Sequence, residues 1–138
     1  MKIQETNGKV VVVSSFTTNL DHVATLADKN NWKYLRIDGK VKNCIRQAVV
    51  DQFNSGADAT FIFLLSSRAG GVGISLIGAN RLVMLDSDWN PAVDSQAMAR
   101  VWREGQRKPV FIYRIYTKGS IEESIVKVCI SFDSLIVS

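Results

Sequence analysis

Short apolar runs alternate along the chain with longer segments in which apolar residues recur every three or four positions. The first apolar run, Val10 to Val13, is continuous and β-branched, which is the pattern of a strand buried on both faces of a sheet. Similar patterns predict four further strands in the segments "WKYLRID", "TFIFLL", "RLVMLD" and "PVFIYRIY".

Helical periodicity fills three of the four intervals between the predicted strands and the segment after the last one. It predicts helices within residues 14–31, 42–54, 92–104 and 120–129. Asn30 and Gly56 supply stop signals for the first two helices, and Pro91 precedes the third. In the last helix, Ser120 and Glu123 have the spacing of a capping box.

This regular alternation is typical of a parallel β-sheet that is covered by helices on both faces. At 138 residues and 15.3 kDa, with 46% hydrophobic and 22% charged residues, the chain has the composition of one soluble globular domain. No apolar run approaches the roughly 18 residues of a membrane span, so no membrane partner is expected. We therefore expect a single α/β domain over residues 1–138.

Charge and cysteine content narrow the choice of partners. A net charge of +4 and a pI near 9.2 suit an anionic partner without deciding for nucleic acid. Cys44 and Cys129 lie far apart without a CxxC pair, and His22 is the one histidine of the sequence. A metal site is therefore not expected.

A glycine-rich turn links the third and fourth predicted strands. Gly70, Gly71 and Gly73 permit positive φ and close backbone approach, so their N–H groups are able to cradle an anion. The alternative is a tight connection that needs glycine for its conformation. Leu76 stands where a Rossmann fingerprint requires its third glycine, and the sequence contains no Walker A loop. The chain therefore cannot hold a nucleoside triphosphate by itself.

The helix predicted over residues 92–104 carries paired arginines. Gln96, Arg100 and Arg103 fall within roughly a 60° arc of an ideal helix. Two guanidiniums on one face are suited to stabilising a phosphoryl transition state. The alternative is a solvated face on which Arg100 pairs with Glu104 at i,i+4. The opposite arc, which is expected to face the core, holds Ala97, Met98, Val101 and Trp102.

Taken together, these blocks resemble the second RecA-like lobe of Swi/Snf-family ATP-dependent DNA translocases of helicase superfamily two. The resemblance runs in matching order from about residue 9 to residue 125. Trp102, where many members of the family have histidine, resembles the branch that acts in homologous recombination. The blocks that carry the likeness are "VVVVSSFTTNLD", "YLRIDG", "LSSRAGGVGISLIGANRLVMLDSDWNP", "DSQAMARVWREGQ" and "GSIEE".

The resemblance implies a RecA-like sheet and a nucleotide, ATP with Mg²⁺, bound between this lobe and an N-terminal RecA-like lobe that holds the metal. Arg100 and Arg103 would act as arginine fingers on the γ-phosphate, with Gln96 steadying them. Gly71 and Gly73 would lie near the nucleotide at the boundary of the lobes.

The resemblance also implies contacts with the backbone of double-stranded DNA. Such contacts go mostly to phosphate and sugar, so binding would be largely independent of sequence and sensitive to salt. A nuclear location and a recombinase or chromatin partner would follow from the same likeness. The residues assigned to DNA are Ser14, Ser15, Ser66, Ser67 and Arg68.

Two features of the sequence depart from a complete motor of this family. The Walker A lysine and the acidic magnesium-binding motif are missing, which predicts that the chain is one lobe of a longer protein and does not hydrolyse ATP alone. Residues 126–138 form an apolar tail in place of the family's basic continuation. The alternative function is a stand-alone, non-catalytic module that binds DNA or protein.

Overall fold

A computed structural model of the chain describes residues 8–57, 59–69 and 73–127. Within these residues, five strands form one parallel sheet in the order β2-β3-β1-β4-β5. The predicted α/β sheet is thus confirmed, with the β-branched run at its centre. The strands are β1 Val10–Ser14, β2 Tyr34–Ile37, β3 Ile62–Ser66, β4 Arg81–Met84 and β5 Phe111–Arg114.

Helices cover both faces of this sheet, as the sequence predicted. The first, α1, packs on β1 and β3 through one face of the sheet, whereas the other two pack on the opposite face. Residues 121–127 are also helical. The bounds of the three main helices in the described ranges are α1 Thr17–Lys29, α2 Asn43–Ser55 and α3 Pro91–Val101. No helix in these ranges is long and apolar enough to cross a membrane.

Alternation along β1 explains how one strand supports two cores. Val10 and Val12 point towards α1 and pack with Leu20. Val11 and Val13 point to the other face and pack in the cluster that contains Phe53 of α2. Successive side chains of a strand face opposite sides, so a central strand with a helix layer on each side has to be apolar at every position.

The end of α3 differs from its prediction. The helix stops at Val101 because Trp102 has non-helical dihedrals, φ −94° and ψ 87°, and Gly105 then turns the chain with φ 97°. The last turn of the helix predicted over 92–104 was therefore wrong. Trp102 is 61% exposed and does not face the core, whereas the other three residues of the predicted apolar arc do pack there, namely Ala97, Met98 and Val101.

The capping box predicted at the last helix also takes another form. The Glu123 carboxylate accepts the backbone N–H of Gly119, at 2.8 Å, rather than that of Ser120. This hydrogen bond, followed by the ammonium of Lys127, lowers the pKa of Glu123. The apolar tail begins at Val126, which is buried, and its residues 128–138 lie outside the described part of the chain.

Replacing Phe53 by alanine is expected to lower the free energy of unfolding by about 3–5 kcal/mol, because a large cavity would open in the core. The Phe53 ring is fully buried and meets Phe63 edge to face, with ring centroids 5.0 Å apart. Urea unfolding measures the loss. Phe16→Ala is the matched control, since its ring is 59% exposed, and equal losses for the two variants would contradict this packing.

Candidate functional site

The carboxyl ends of the parallel strands meet at one edge of the sheet, and Asp86 is the centre of that edge. Its Oδ1 accepts the backbone N–H of Ser15 at 2.8 Å. Its Oδ2 accepts the hydroxyl of Ser14 and, at 3.3 Å, the side-chain amide of Asn19. One carboxylate just beyond β4 therefore holds the end of β1 and the first turn of α1.

The four serines assigned to DNA do not have equal access to solvent. Ser14 and Ser66 are buried, being 1% and 4% exposed, so their side chains offer little surface to a ligand. Ser15 and Ser67 are half-buried, with their hydroxyl oxygens 2.9 Å apart, and Arg68 is exposed. The surface of this edge is therefore presented by Ser15, Ser67 and Arg68.

An open depression lies beside these residues. Its lining includes Ser15 and Arg68 together with Thr17 and Thr18 of the first turn of α1. The N-cap residue, Phe16, makes no side-chain capping hydrogen bond to that turn. The N–H groups of an uncapped first turn carry partial positive charge and favour an anion.

The loops around this depression are braced from the β2–α2 side. The N–H of Lys40 donates to Asp38 at 2.9 Å, and this bond is the main cause of the lowered pKa of the Asp38 carboxyl. Arg46 of α2 donates to the carbonyls of Val41, at 3.1 Å, and of Ala69, at 2.7 Å. Arg46 thus ties the loop after β2 to the loop after β3.

The glycine turn is described in part. Gly70 and Gly71 lie outside the described residues, so the predicted place of Gly71 near a nucleotide stays a prediction. Gly73 has φ 102°, the left-handed conformation that its residue type predicted, and a Cβ there would meet no atom within 4 Å. The need for glycine at this position is therefore conformational.

Beyond Gly73 the chain is held against α2 by Asn54. The Asn54 amide donates to the carbonyl of Ser75 at 2.8 Å and accepts the N–H of Gly78 at 2.9 Å. A Cβ on Gly78 would lie 2.9 Å from the Cα of Asn54, so this close approach requires glycine. No local pattern in the sequence points to Asn54, because its partners lie 21 and 24 residues away.

The segment after Gly73 is also hydrogen-bonded to α3, the helix that carries Arg100. The N–H of Leu76 donates to the carbonyl of Arg100 at 2.8 Å. Gln106, which the sequence analysis also missed, donates from its amide to the carbonyls of Ala79, at 2.7 Å, and Val101, at 3.1 Å. The segment that leaves the glycine turn and the end of α3 are therefore fixed to each other.

The structure brings Gln96 and Arg100 to one small depression, which Ser67 also lines. Arg103 does not lie on the helix, as the predicted arc required, but in the exposed turn that follows it. Burial, and then the nearby charge of Arg103, lower the pKa of Arg100. Two guanidiniums that disfavour each other in this way form a site that an anion would stabilise.

The other end of α3 is anchored by a cap and a buried ion pair. The side chain of Asn90 accepts the N–H of Ala92 at 3.1 Å, which caps the first turn. Asp94 lies 4.0 Å from Arg114 of β5, and both side chains are nearly buried, at 4% and 10% exposure. A buried pair of opposite charges fixes the helix on the sheet, since separating the partners would leave a charge in the interior.

The described ranges contain no group of three or more His, Cys, Asp or Glu side chains that could hold a metal ion.

Comparison with protein families identifies the domain: the model described as the helicase conserved C-terminal domain matches residues 1–105. The chain belongs to the helicase conserved C-terminal domain family.

Individual relatives agree with the family. The helicase domain is 56% identical over 119 residues to the "DNA repair and recombination protein RAD54-like" of Drosophila virilis, which covers 86% of this chain and 15% of that protein. The protein of the same name in Drosophila erecta is 54% identical over 121 residues, covering 88% and 15%. The chain thus spans about 15% of the length of these relatives.

A solved structure extends the agreement to three dimensions. The crystal structure of the C-terminal part of the Fun30 ATPase domain superposes with a TM-score of 0.84 at 38% identity, covering 92% of this chain and 41% of that one. The RecA-like fold that the motifs implied is confirmed, and so is the resemblance to recombination-type translocases.

Asp86→Ala is expected to lower the free energy of unfolding by about 1.5–3 kcal/mol, since hydrogen bonds to a charged group are lost and a partly buried donor is left unpaired. Chemical unfolding measures the change. Asp51→Ala is the control, because Asp51 is exposed and bonds to Gln47 one helical turn away. The role of Asp86 would be refuted if both variants unfolded at the same denaturant concentration as the unchanged chain.

Proposed function

We propose that this helicase domain is the second lobe of an ATP-dependent double-stranded DNA translocase of Swi/Snf type that acts in DNA recombination and repair. The observation that carries the proposal is that Arg100 lies beside Gln96 and close enough to Arg103 to feel its charge, at the end of a helix that is hydrogen-bonded to the segment leaving the glycine turn. The choice of process is supported by the similarity to RAD54-like DNA repair and recombination proteins.

Arg100 and Arg103 suit the phosphate groups of a triphosphate that another lobe holds. Two guanidiniums offer planar donors and full positive charge, which match phosphate oxygens. The sequence contains no Walker A loop, so in this proposal the N-terminal RecA-like lobe holds ATP and its Mg²⁺. When bound there, ATP supplies the phosphoryl group that is transferred to water.

Arg100 and Arg103 then act as arginine fingers. They place positive charge where negative charge develops on the transferred group, which lowers the barrier because the charges are positioned before the reaction begins. Gln96, one turn before Arg100 on α3, steadies the same contact. The hydrogen bond from Leu76 and the Asp94–Arg114 pair hold the two ends of α3 in place.

The exposed residues at the carboxyl edge of the sheet bind DNA in this proposal. Ser15 and Arg68 donate to phosphate oxygens together with the uncapped first turn of α1, and Ser67 adds a hydroxyl beside that of Ser15. Ser14 supports this surface from within through Asp86, whereas Ser66, although nearly buried, lines the depression. Contacts of this kind bind duplex DNA with little dependence on sequence.

Partners and location follow from the same proposal. The N-terminal RecA-like lobe is the obligatory partner, because the nucleotide lies between the lobes. Double-stranded DNA is the track, and a recombinase or chromatin is the target to which the motor is recruited. Such a motor works in the nucleus.

The proposal is tested by measuring DNA-stimulated ATP hydrolysis. The 138-residue chain is expected to show none, whereas one polypeptide that joins it to a first RecA-like lobe is expected to turn over. In the joined protein, Arg100→Ala and Arg103→Ala should each lower kcat by about 10³-fold or more, the typical worth of an arginine finger. Arg107→Ala, which removes an exposed arginine of the same region, is the matched control.

Two results would overturn the proposal. Turnover by the 138-residue chain that survives Arg100→Ala but not heating would show a complete active site within this chain. Duplex binding that is indifferent to Arg100 and Arg103, without turnover by the joined protein, would assign the chain to the stand-alone binding modules.

A further inference from the structure

The turn that follows α3 carries Arg103 without help from helical geometry. The N–H of Trp102 still donates to the carbonyl of Met98, at 2.8 Å, and the helical dihedrals end there. Gly105 then adopts φ 97° and reverses the chain. Some other interaction has to fix the position of Arg103, because an exposed turn of this length has many conformations.

That interaction is made by Gln106. Its Nε2 donates both hydrogens, one to the carbonyl of Val101 at 3.1 Å and one to the carbonyl of Ala79 at 2.7 Å. Its Oε1 accepts the N–H of Lys108 at 3.1 Å, and its own backbone N–H donates to the carbonyl of Arg103 at 3.1 Å. The half-buried Gln106 thus closes the turn with four hydrogen bonds.

The chemistry of a neutral amide is what this position needs. The last carbonyls of a helix have no partner within the helix, and Gln106 satisfies that of Val101 while it reaches the segment before β4 through Ala79. A primary amide has two donors and an acceptor. A carboxylate has no donor, so it would face two carbonyl oxygens with like charge.

We propose that Gln106 is a positioning residue for Arg103, whose amide fixes the turn 102–106 against Ala79 and so sets where the second guanidinium stands. The inference rests on the proposed function, since positioning matters for a finger that reaches ATP. Gln106 itself does not touch the substrate. Its contribution is separate from that of Leu76, which holds the carbonyl of Arg100.

The test measures ATP hydrolysis by the joined two-lobe protein with duplex DNA. Gln106→Glu and Gln106→Met should each lower kcat by about 10- to 100-fold, because a finger that is misplaced by an ångström loses contact with the transition state. KM for ATP should stay within about twofold, since the interaction is realised in the transition state. Gln106→Met keeps the length of the side chain without its charge, and serves if the glutamate variant does not fold.

A double-mutant cycle separates positioning from a general structural role. In an Arg103→Ala background, Gln106→Glu should lower kcat no further, whereas in an Arg107→Ala background it should keep its full effect. Ala24→Gly is the control for stability, because it weakens α1 on the opposite face of the sheet. Ala24→Gly should leave kcat unchanged even if it lowers the thermal unfolding midpoint by as much as Gln106→Glu does.

A readout independent of activity uses the 138-residue chain. Amide hydrogen exchange at residues 102–106 should be faster in Gln106→Glu than in Ala24→Gly. If Arg103→Ala leaves kcat of the joined protein unchanged, the proposed function fails. If it depends on Arg103 and Gln106→Glu keeps the original kcat, or lowers it equally in the Arg103→Ala background, the positioning role is refuted.

Discussion

The hydrogen bond from the N–H of Leu76 to the carbonyl of Arg100 is the constraint on which the site depends. It joins the segment that leaves the glycine turn to the last helical turn of α3. A shift of one therefore displaces the other or weakens the bond, because a hydrogen bond is strong only within a narrow range of lengths and angles. The turn that carries Arg103 is built onto this junction and is closed by Gln106.

The parallel sheet brings the serine residues of the site together at its carboxyl edge, whereas the turn that carries Arg103 bonds Ala79, which precedes β4. Parallel strands end on the same side, so the loops after β1, β3 and β4 become neighbours. Asp86 then holds the end of β1 through Ser14 and Ser15. In this arrangement Ser67, just after β3, lines one depression with Gln96 and Arg100 of α3. In the proposed function the loop that begins at Ser67 couples DNA binding to the nucleotide.

Periodicity was enough to predict the sheet and its helices, since β1 to β4 and the main helices bury residues whose spacing is visible locally. The apolar run of β5 also predicted a strand, although its residues Phe111 to Tyr113 are exposed. Periodicity failed at the end of α3, where Gly105 and the bonds of Gln106 favour a turn over another helical turn. The same failure explains the exposed Trp102. Arg46, Asn54 and Gln106 could not have been identified from spacing, because each bonds a backbone group 21 or more residues away in sequence.

The account is tested most directly by a structure of the joined two-lobe protein with duplex DNA and a transition-state analogue of ATP. The account predicts both guanidiniums, of Arg100 and Arg103, within hydrogen-bond distance of the γ-phosphate analogue, with Ser15 and Arg68 on DNA phosphates. It would be contradicted by a closed complex in which both arginines point to solvent while the nucleotide is fully enclosed by the first lobe.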